Sequence, residues 1–109
     1  MVARCTFVEI KPEDVDQCVK IFHEQVLPAI ADVDGFRGAF LLTHPDDGKT
    51  IVVDLCDSHE QAIANEQNGI YQREVARFAD KFIGTPRREI YDVSDIQGVI
   101  SATSTGGSE

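Results

Sequence analysis

The hydrophobic and polar positions change their period near the middle of the chain, where a helical segment gives way to two strands. Gly35 can adopt the left-handed conformation that ends a helix, and residues 36–43 are apolar and rich in types that favour strands. The Asp-Asp-Gly sequence at 46–48 is typical of a hairpin turn, and residues 50–55 continue with β-branched side chains. This stretch therefore predicts a β-hairpin.

Before the hairpin, the pattern predicts one strand and one interrupted helix. Residues 3–10 favour a strand, and Pro12 suits the first turn of a helix because its missing N–H would be unpaired there anyway. The apolar stripe of that helix has a period near 3.6 and consists of Val15, Cys18, Val19, Phe22, Val26 and Ile30. Pro28 removes a backbone hydrogen bond and crowds the preceding turn, so we expect a kink or break near residues 25–27.

After the hairpin, the sequence predicts a second helical region in two parts. Ser58 and Gln61 have the spacing of a capping box, in which Ser58 accepts from the Gln61 amide and the Gln61 side chain reaches back. The Asn-Gly dipeptide at 68–69 divides the region into a short helix over 59–67 and a longer helix over 70–83. The residues expected on the inner side of the longer helix are Tyr71, Val75, Phe78, Ala79 and Phe82.

The last predicted elements complete an α+β fold. The Gly-Thr-Pro sequence at 84–86 is expected to end the longer helix, and residues 87–93 alternate as a final strand does. The resulting βαββαβ order predicts a ferredoxin-like, four-stranded antiparallel sheet with both helices on one face. We expect this domain to occupy residues 1–95, and a flexible tail rich in Gly, Ser and Thr to occupy residues 96–109.

The predicted sheet has apolar side chains on both of its faces. In the first strand Ala3, Cys5 and Phe7 have one parity and Val8 and Ile10 have the other. Helices on one side would leave the second face bare, and pairing with another copy would cover it. The sequence therefore predicts a homodimer, which the resemblance below would make a dimeric α+β barrel.

Composition narrows the classes of partner. Ten basic and nineteen acidic residues give the 109-residue chain a net charge of -9, which disfavours binding to nucleic acid or to an anionic membrane. The three cysteines are widely spaced in apolar contexts, which indicates reduced, buried thiols, and no histidine has a partner at metal-ligand spacing. No leader pattern and no apolar run of membrane-spanning length occurs, so we expect a cytoplasmic protein without a metal site.

The order of several short motifs resembles the antibiotic biosynthesis monooxygenase (ABM) domain family. The motifs are Leu-Pro-Ala-Ile at 27–30, Gly-Phe-Arg-Gly-Ala-Phe-Leu-Leu at 35–42, an Asp-Gly turn before an apolar strand, Ser58-x-x-Gln61, and Ile-Tyr-Gln at 70–72. The resemblance covers roughly residues 2–94. It implies a dimeric α+β barrel and a family whose members oxidise polyketide aromatics and quinols without a cofactor, degrade haem or isomerise a phosphorylated sugar. Fold membership therefore does not select a reaction.

The chain departs from that family at the positions of the second helical region that carry chemistry. Asn65 stands where several enzymatic branches have Trp or His, and Ile70 stands where the quinol and isomerase branches have His. The haem-degrading branch relies on a Trp, which this chain lacks, and on a His at the position of Val75. The resemblance therefore argues against haem degradation.

Three residues are the candidates for a site, and each has a simpler interpretation. The Asn65 amide could orient a carbonyl or quinone oxygen, or it could be a capping or solvent-facing residue. Tyr71 could stack on an aromatic ligand and donate a hydrogen bond, or it could be a core aromatic whose hydroxyl reaches the surface. His23 could act as the catalytic base, or it could be an ordinary surface histidine.

Two functions follow from these observations. One is a cofactor-independent monooxygenase that holds an aromatic or quinol-like substrate with Asn65 and Tyr71 and uses His23 as its base. The other is a non-catalytic, dimeric small-molecule-binding or stress-associated domain that keeps the cavity and has lost the base. The missing histidines favour the second function, and the intact scaffold with its polar Asn65 favours the first.

Overall fold

The computed structural model describes residues 1–98 of the chain. Its strands are β1 (Val2–Ile10), β2 (Phe36–His44), β3 (Lys49–Cys56) and β4 (Phe82–Asp92). Its α-helices are α1 (Val15–Ile21), α2 (Leu27–Ile30), α3 (His59–Gln67) and α4 (Ile70–Ala76). Two 3-10 segments, Pro12–Asp14 and Ala79–Lys81, precede α1 and β4, and a π-helical segment, Phe22–Val26, joins α1 to α2.

The strands form one antiparallel sheet in the order β2-β3-β1-β4, which is the ferredoxin-like arrangement predicted from the sequence. The hairpin between β2 and β3 closes as expected, with the Gly48 amide donating to the His44 carbonyl at 2.8 Å. Gly48 has a φ of +79° and also lies against the end of β1, where its carbonyl accepts from the Ile10 amide at 3.0 Å. The turn therefore ties the hairpin to the end of β1.

The core lies between the helices and one face of the sheet. Side chains of β1 alternate strictly, and Val2, Arg4, Thr6, Val8 and Ile10 are the buried ones. The main apolar cluster consists of Val8, Ile10, Val15, Cys18, Phe22, Val26, Ile30 and Phe78. This cluster contains the whole predicted stripe of the first helix except Val19, which is exposed. We call this side of the sheet the helix-covered face.

Pro28 distorts the first helical region as predicted. The Leu27 amide donates to the Phe22 carbonyl, five residues earlier, so the turn before the proline is wider than an α-helical turn. Pro28 then occupies the first turn of α2, where its missing N–H is tolerated. The helix widens and continues, because the π-helical segment absorbs the steric effect of the proline ring.

The prediction for the region after residue 76 was wrong. α4 ends at Ala76, and residues 82–86, which were expected to finish a helix, belong to β4. β4 is an edge strand, and its register against β1 shifts between Phe7 and Glu9, opposite Gly84 and Pro86. An edge with an irregular register tolerates a proline and a glycine of positive φ, so neither residue ends the element.

Half of the predicted capping box forms. The Ser58 hydroxyl accepts from the Gln61 amide at 3.1 Å, so α3 begins where expected. The Gln61 side chain, however, donates to Asn65 Oδ1 at 3.2 Å and does not reach back to Ser58. The Gln61 side chain therefore points along α3 toward Asn65, one helical turn ahead, and the reciprocal bond from the Ser58 amide to Gln61 Oε1 does not form.

The other side of the sheet, which we call the open face, carries the second apolar set. Its large, partly exposed side chains are Phe40 (43%), Leu42 (47%), Ile83 (48%) and Tyr91 (49%). Cys5 also lies on this face and is half-buried, whereas Cys18 and Cys56 are buried; all three are free thiols. The expected tail falls largely on residues 99–109, which lie outside the described residues. Within the described part of the chain, no helix is long and apolar enough to cross a membrane.

Candidate functional site

A cavity of about 60 Å³ lies between the helix-covered face and helices α3 and α4. Its walls are mainly apolar and include Val26, Ile30, Val52, Ile70, Val75 and Phe78. A dry cavity of about 150 Å³ holds a benzene ring in other proteins, so a ring would enter here only if a wall moved outward. α4 forms one wall, so an outward shift of this seven-residue helix would enlarge the cavity.

Tyr71 lies at the polar part of this cavity. Its hydroxyl is 3.1 Å from Thr6 Oγ1, and either oxygen can be the donor. The guanidinium carbons of Arg4 and Arg88 lie 4.9 Å and 5.7 Å from the centre of the Tyr71 ring. These cations face the π-system, so the ring is held from two strands of the sheet although it belongs to α4.

Asn65 of α3 is buried and lines the cavity, and both ends of its amide have partners. Its Oδ1 accepts from Gln61 Nε2 at 3.2 Å, and its Nδ2 donates to Cys56 Sγ at 3.8 Å. Burial raises the pKa of the Cys56 thiol, and the nearby Arg4 acts in the opposite direction. The bond to the protonated sulfur is weak, so this is the contact that a ligand oxygen could replace.

Arg4 projects from β1 beneath α3 and is only 5% exposed. Its Nη2 donates to the Ala62 carbonyl at 2.7 Å, its Nε donates to Glu66 at 3.0 Å, and its Nη1 lies 3.4 Å from Asp54. Glu66 also pairs with Arg88 Nε at 2.9 Å. The buried cation therefore joins two strands to α3 and has a partner on each of its three nitrogens.

Asp54 and Glu74 contribute two carboxyl groups to the cavity wall. Burial raises the pKa of Asp54, and the charge of Glu74 adds to this effect, while Arg4 opposes it. Glu74 is held by Arg77 at 2.6 Å and by Arg73 at 3.4 Å. The two carboxyls thus have different surroundings: Glu74 has two arginine partners from its own helical region, and Asp54 has only Arg4 within residues 1–98.

The structure brings two of the three predicted site residues together. Asn65 and Tyr71 both line the cavity, whereas His23 is exposed on the π-helical segment and is not part of the lining. His44 and His59 are also exposed, so no histidine lies among the lining residues. Within residues 1–98 no group of three potential metal ligands occurs.

Sequence reasoning missed Arg4, Asp54 and Glu74. A signal for the first two was available, because both occupy inward-facing positions of strands whose neighbouring inward residues are uncharged. A charged residue at such a position is expected to be paired or functional. Glu74 carried no comparable signal, because one acidic residue on an amphipathic helix is usually exposed.

The fold is shared with several solved structures. The haem degrader MhuD from Mycobacterium tuberculosis, whose structure holds two haems in its active site, is 21% identical with a TM-score of 0.69; the match covers 90% of this chain and 100% of that one. A monooxygenase from the ActVA-Orf6 gene of Streptomyces coelicolor, solved with nanaomycin D, is 19% identical with a TM-score of 0.66 and coverages of 94% and 91%. A Nitrosomonas europaea protein, provisionally named an antibiotic biosynthesis monooxygenase, is 14% identical with a TM-score of 0.68 and coverages of 87% and 100%.

These likenesses are structural. No family model and no curated protein matches the sequence. Identities of 14–21% over nearly whole chains establish a common fold and leave the reaction open. The fold-level resemblance seen in the sequence is confirmed: the chain has the ferredoxin-like α+β fold of the antibiotic biosynthesis monooxygenase domains.

Proposed function

We propose that the protein binds a small aromatic or quinol-like molecule in the cavity between the sheet and α3–α4, and oxidises it without metal or flavin. The observation that carries this proposal is the apolar cavity with Tyr71, Thr6 and Asn65 at its polar part. Apolar walls suit an aromatic ring, and a few placed hydroxyl and amide groups suit its oxygen substituents. In such a reaction the substrate itself supplies the electrons to oxygen.

The monooxygenase of Streptomyces coelicolor gives this proposal its reaction class. That protein was solved with the ligand nanaomycin D and shares the fold over nearly its whole length. Asn65 and Tyr71 are the residues that we assign to ligand binding here, since both line the cavity. Tyr71 would contact the ring, and Asn65 would exchange its weak bond to Cys56 for one to a ligand oxygen.

A second candidate function is a binding domain that does not catalyse. The absence of histidine from the cavity lining favours it, because no imidazole is placed to accept a proton there. His23, the base predicted from the sequence, is exposed on a different element and could serve only if the helix moved.

Oxygen uptake with a panel of quinols and hydroxylated aromatics separates the two functions. Turnover that falls with Tyr71→Phe or Asn65→Ala supports the monooxygenase. Saturable thermal stabilisation by the same compounds without oxygen uptake supports the binding domain. His23→Gln is the third variant: unchanged turnover removes His23 from the mechanism, and lost turnover restores the prediction made from the sequence.

We further propose that two copies pair through their open faces. The exposed apolar side chains of Phe40, Leu42, Ile83 and Tyr91 support this arrangement, since isolated soluble domains rarely leave so many large side chains on one face. A two-fold pairing would bury the same set on both copies. Light scattering at micromolar concentration tests it, and a monomer mass would refute it.

A further inference from the structure

Three charged side chains line the cavity, and the partners of each decide what it can offer a ligand. Arg4, Asp54 and Glu74 are these side chains, so one cation faces two carboxyl groups. Each nitrogen of Arg4 already donates to, or pairs with, an acceptor of the protein. The positive charge of Arg4 is therefore already compensated by two carboxylates of the protein, Asp54 and Glu66.

Asp54, in contrast, has acceptor capacity to spare. Its one hydrogen bond within the described residues comes from Arg4 Nη1 and is long, at 3.4 Å, to Oδ2. A carboxylate offers about four lone-pair sites, so most of its capacity is unused. No side-chain oxygen in the described part of the chain is fully sealed without a partner, so the second oxygen, Oδ1, stays accessible. The side chain is 21% exposed and lines the cavity.

We propose that Asp54 is the residue that recognises a ligand hydroxyl, and that it makes the cavity selective for un-ionised phenols over carboxylates and phosphates. This inference rests on the proposed function, since it assumes that the cavity is where an aromatic molecule binds. Asp54 lies in the central strand β3 between Arg4 of β1 and Ala39 of β2, so it is held by neighbouring strands on both sides. An acceptor that is held in the sheet on both sides can orient a ligand hydroxyl precisely.

The selectivity follows from charge. A phenol O–H donated to the Asp54 carboxylate makes a charge-assisted bond, which is among the stronger hydrogen bonds in proteins. An aromatic without the hydroxyl loses that bond and leaves the acceptor unpaired, which should weaken binding about 10- to 100-fold. An aromatic carboxylate would place its charge beside the Asp54 carboxylate, which cannot donate a hydrogen bond to it, while Arg4 and Arg77 are already paired with Asp54 and Glu74.

The affinity for a phenol should therefore depend on pH. Two charged groups bear on Asp54: Arg4 from β1, which opposes the rise in its pKa, and Glu74 from α4, which adds to it. The resulting rise in the Asp54 pKa means that the carboxylate form appears at a higher pH than in an exposed aspartate. Binding should strengthen as this group ionises and weaken again near pH ~10, where a phenol itself ionises.

Phenol, toluene and benzoate form a matched series for the test. Each compound is titrated by NMR into the full chain, into Asp54→Asn and into Asp57→Asn. Asp57→Asn is the control, because Asp57 is an acidic residue of the same region that is exposed and pairs with Arg37. We expect the parent to bind phenol at least 10-fold more tightly than toluene or benzoate. Asp54→Asn should lose that preference and the rise of phenol affinity with pH, and Asp57→Asn should retain both.

Each outcome decides the inference. Equal binding of phenol and toluene by the parent, or an unchanged preference in Asp54→Asn, overturns the role of Asp54 and leaves an aromatic-binding cavity in place. Preferential binding of benzoate overturns the inference as well. Failure of all three compounds to bind overturns the inference together with the proposed function. The comparison within the parent chain needs no variant, so poor folding of Asp54→Asn would not prevent a decision.

Discussion

Replacing Arg4 with methionine should cost the domain a large share of its stability. Methionine retains an apolar stem of similar length but removes the guanidinium that joins β1 to α3. The change leaves the Ala62 carbonyl without its 2.7 Å partner and leaves Asp54 without a cation. Glu66 is less affected, because Arg88 still pairs with it at 2.9 Å.

The expected loss is about 3–4 kcal/mol. Removing one member of a buried ion pair typically costs about 3–5 kcal/mol, because the other charge stays buried without compensation. The remaining Arg88–Glu66 pair places the estimate for this site in the lower part of that range. A domain of this size has roughly 5–15 kcal/mol in total, so the variant should be markedly less stable and still able to fold. Arg37→Met is the matched control. Arg37 and its partner Asp57 are each 55% exposed, so the loss for this variant should stay below about 0.5 kcal/mol.

Urea unfolding of the two arginine variants measures these differences, and a double variant identifies their cause. If the uncompensated Asp54 carboxylate is responsible, Arg4→Met combined with Asp54→Asn should recover about 1–2 kcal/mol relative to Arg4→Met alone. A loss below about 1 kcal/mol for Arg4→Met would refute the reasoning. So would a double variant whose loss is the simple sum of the two single losses, since residues that share a buried pair should not behave independently.

Three further predictions follow from other parts of the structure. The pKa of Asp54 is raised above its ordinary 3.8, so the stability that this group contributes is complete below that pH and is lost as the pH rises through the raised pKa. Asp54→Asn should therefore gain stability relative to the parent as the pH rises above about 4, and a difference in urea unfolding that stays constant with pH would contradict this. Gly48→Ala should cost about 3 kcal/mol or more, since its Cβ would lie 1.6 Å from the Ile10 carbonyl oxygen. Gly69→Ala, with a φ of +86° and nothing within 4 Å, should cost only about 1–2 kcal/mol, and equal losses in thermal unfolding would refute the steric argument. Phe40→Asp on the open face should shift light scattering to the monomer mass while His23→Gln does not, and a parent that is already monomeric would refute the pairing.

The fold was predictable because most of its signals are local. The turn at 46–48, the cap at Ser58 and the distortion before Pro28 each follow from the chemistry of a few adjacent residues, and all three occur where the sequence placed them. The error after Ala76 has a different origin. Whether Gly84 and Pro86 end a helix or lie in a strand depends on β4 being the edge of the sheet and on its shifted register against β1. Both features belong to the tertiary structure, which a local sequence pattern does not determine.

The candidate site was only partly predictable for a related reason. Tyr71 and Asn65 could be found because their positions in the motif order point to them, and both line the cavity. His23 was proposed for the chemistry of its side chain alone, and its place on the helix surface does not bring it to the cavity. The pairing of Arg4 with Asp54 and Glu66 joins residues 50 and 62 positions apart, so it required the register of the sheet and the position of α3.

The charged side chains of the cavity also bear on which ligands it can select. A protein with this fold holds two haems, and another was solved with nanaomycin D, so the scaffold accepts very different ligands. The apolar walls of the cavity would favour almost any ring and cannot by themselves discriminate between such ligands. Arg4, committed to protein acceptors, and Asp54, with an accessible oxygen, supply a charge pattern that can discriminate. If specificity arises in this way, substitutions of the apolar wall should alter affinity for all three compounds of the phenol series together, whereas Asp54→Asn should alter their order.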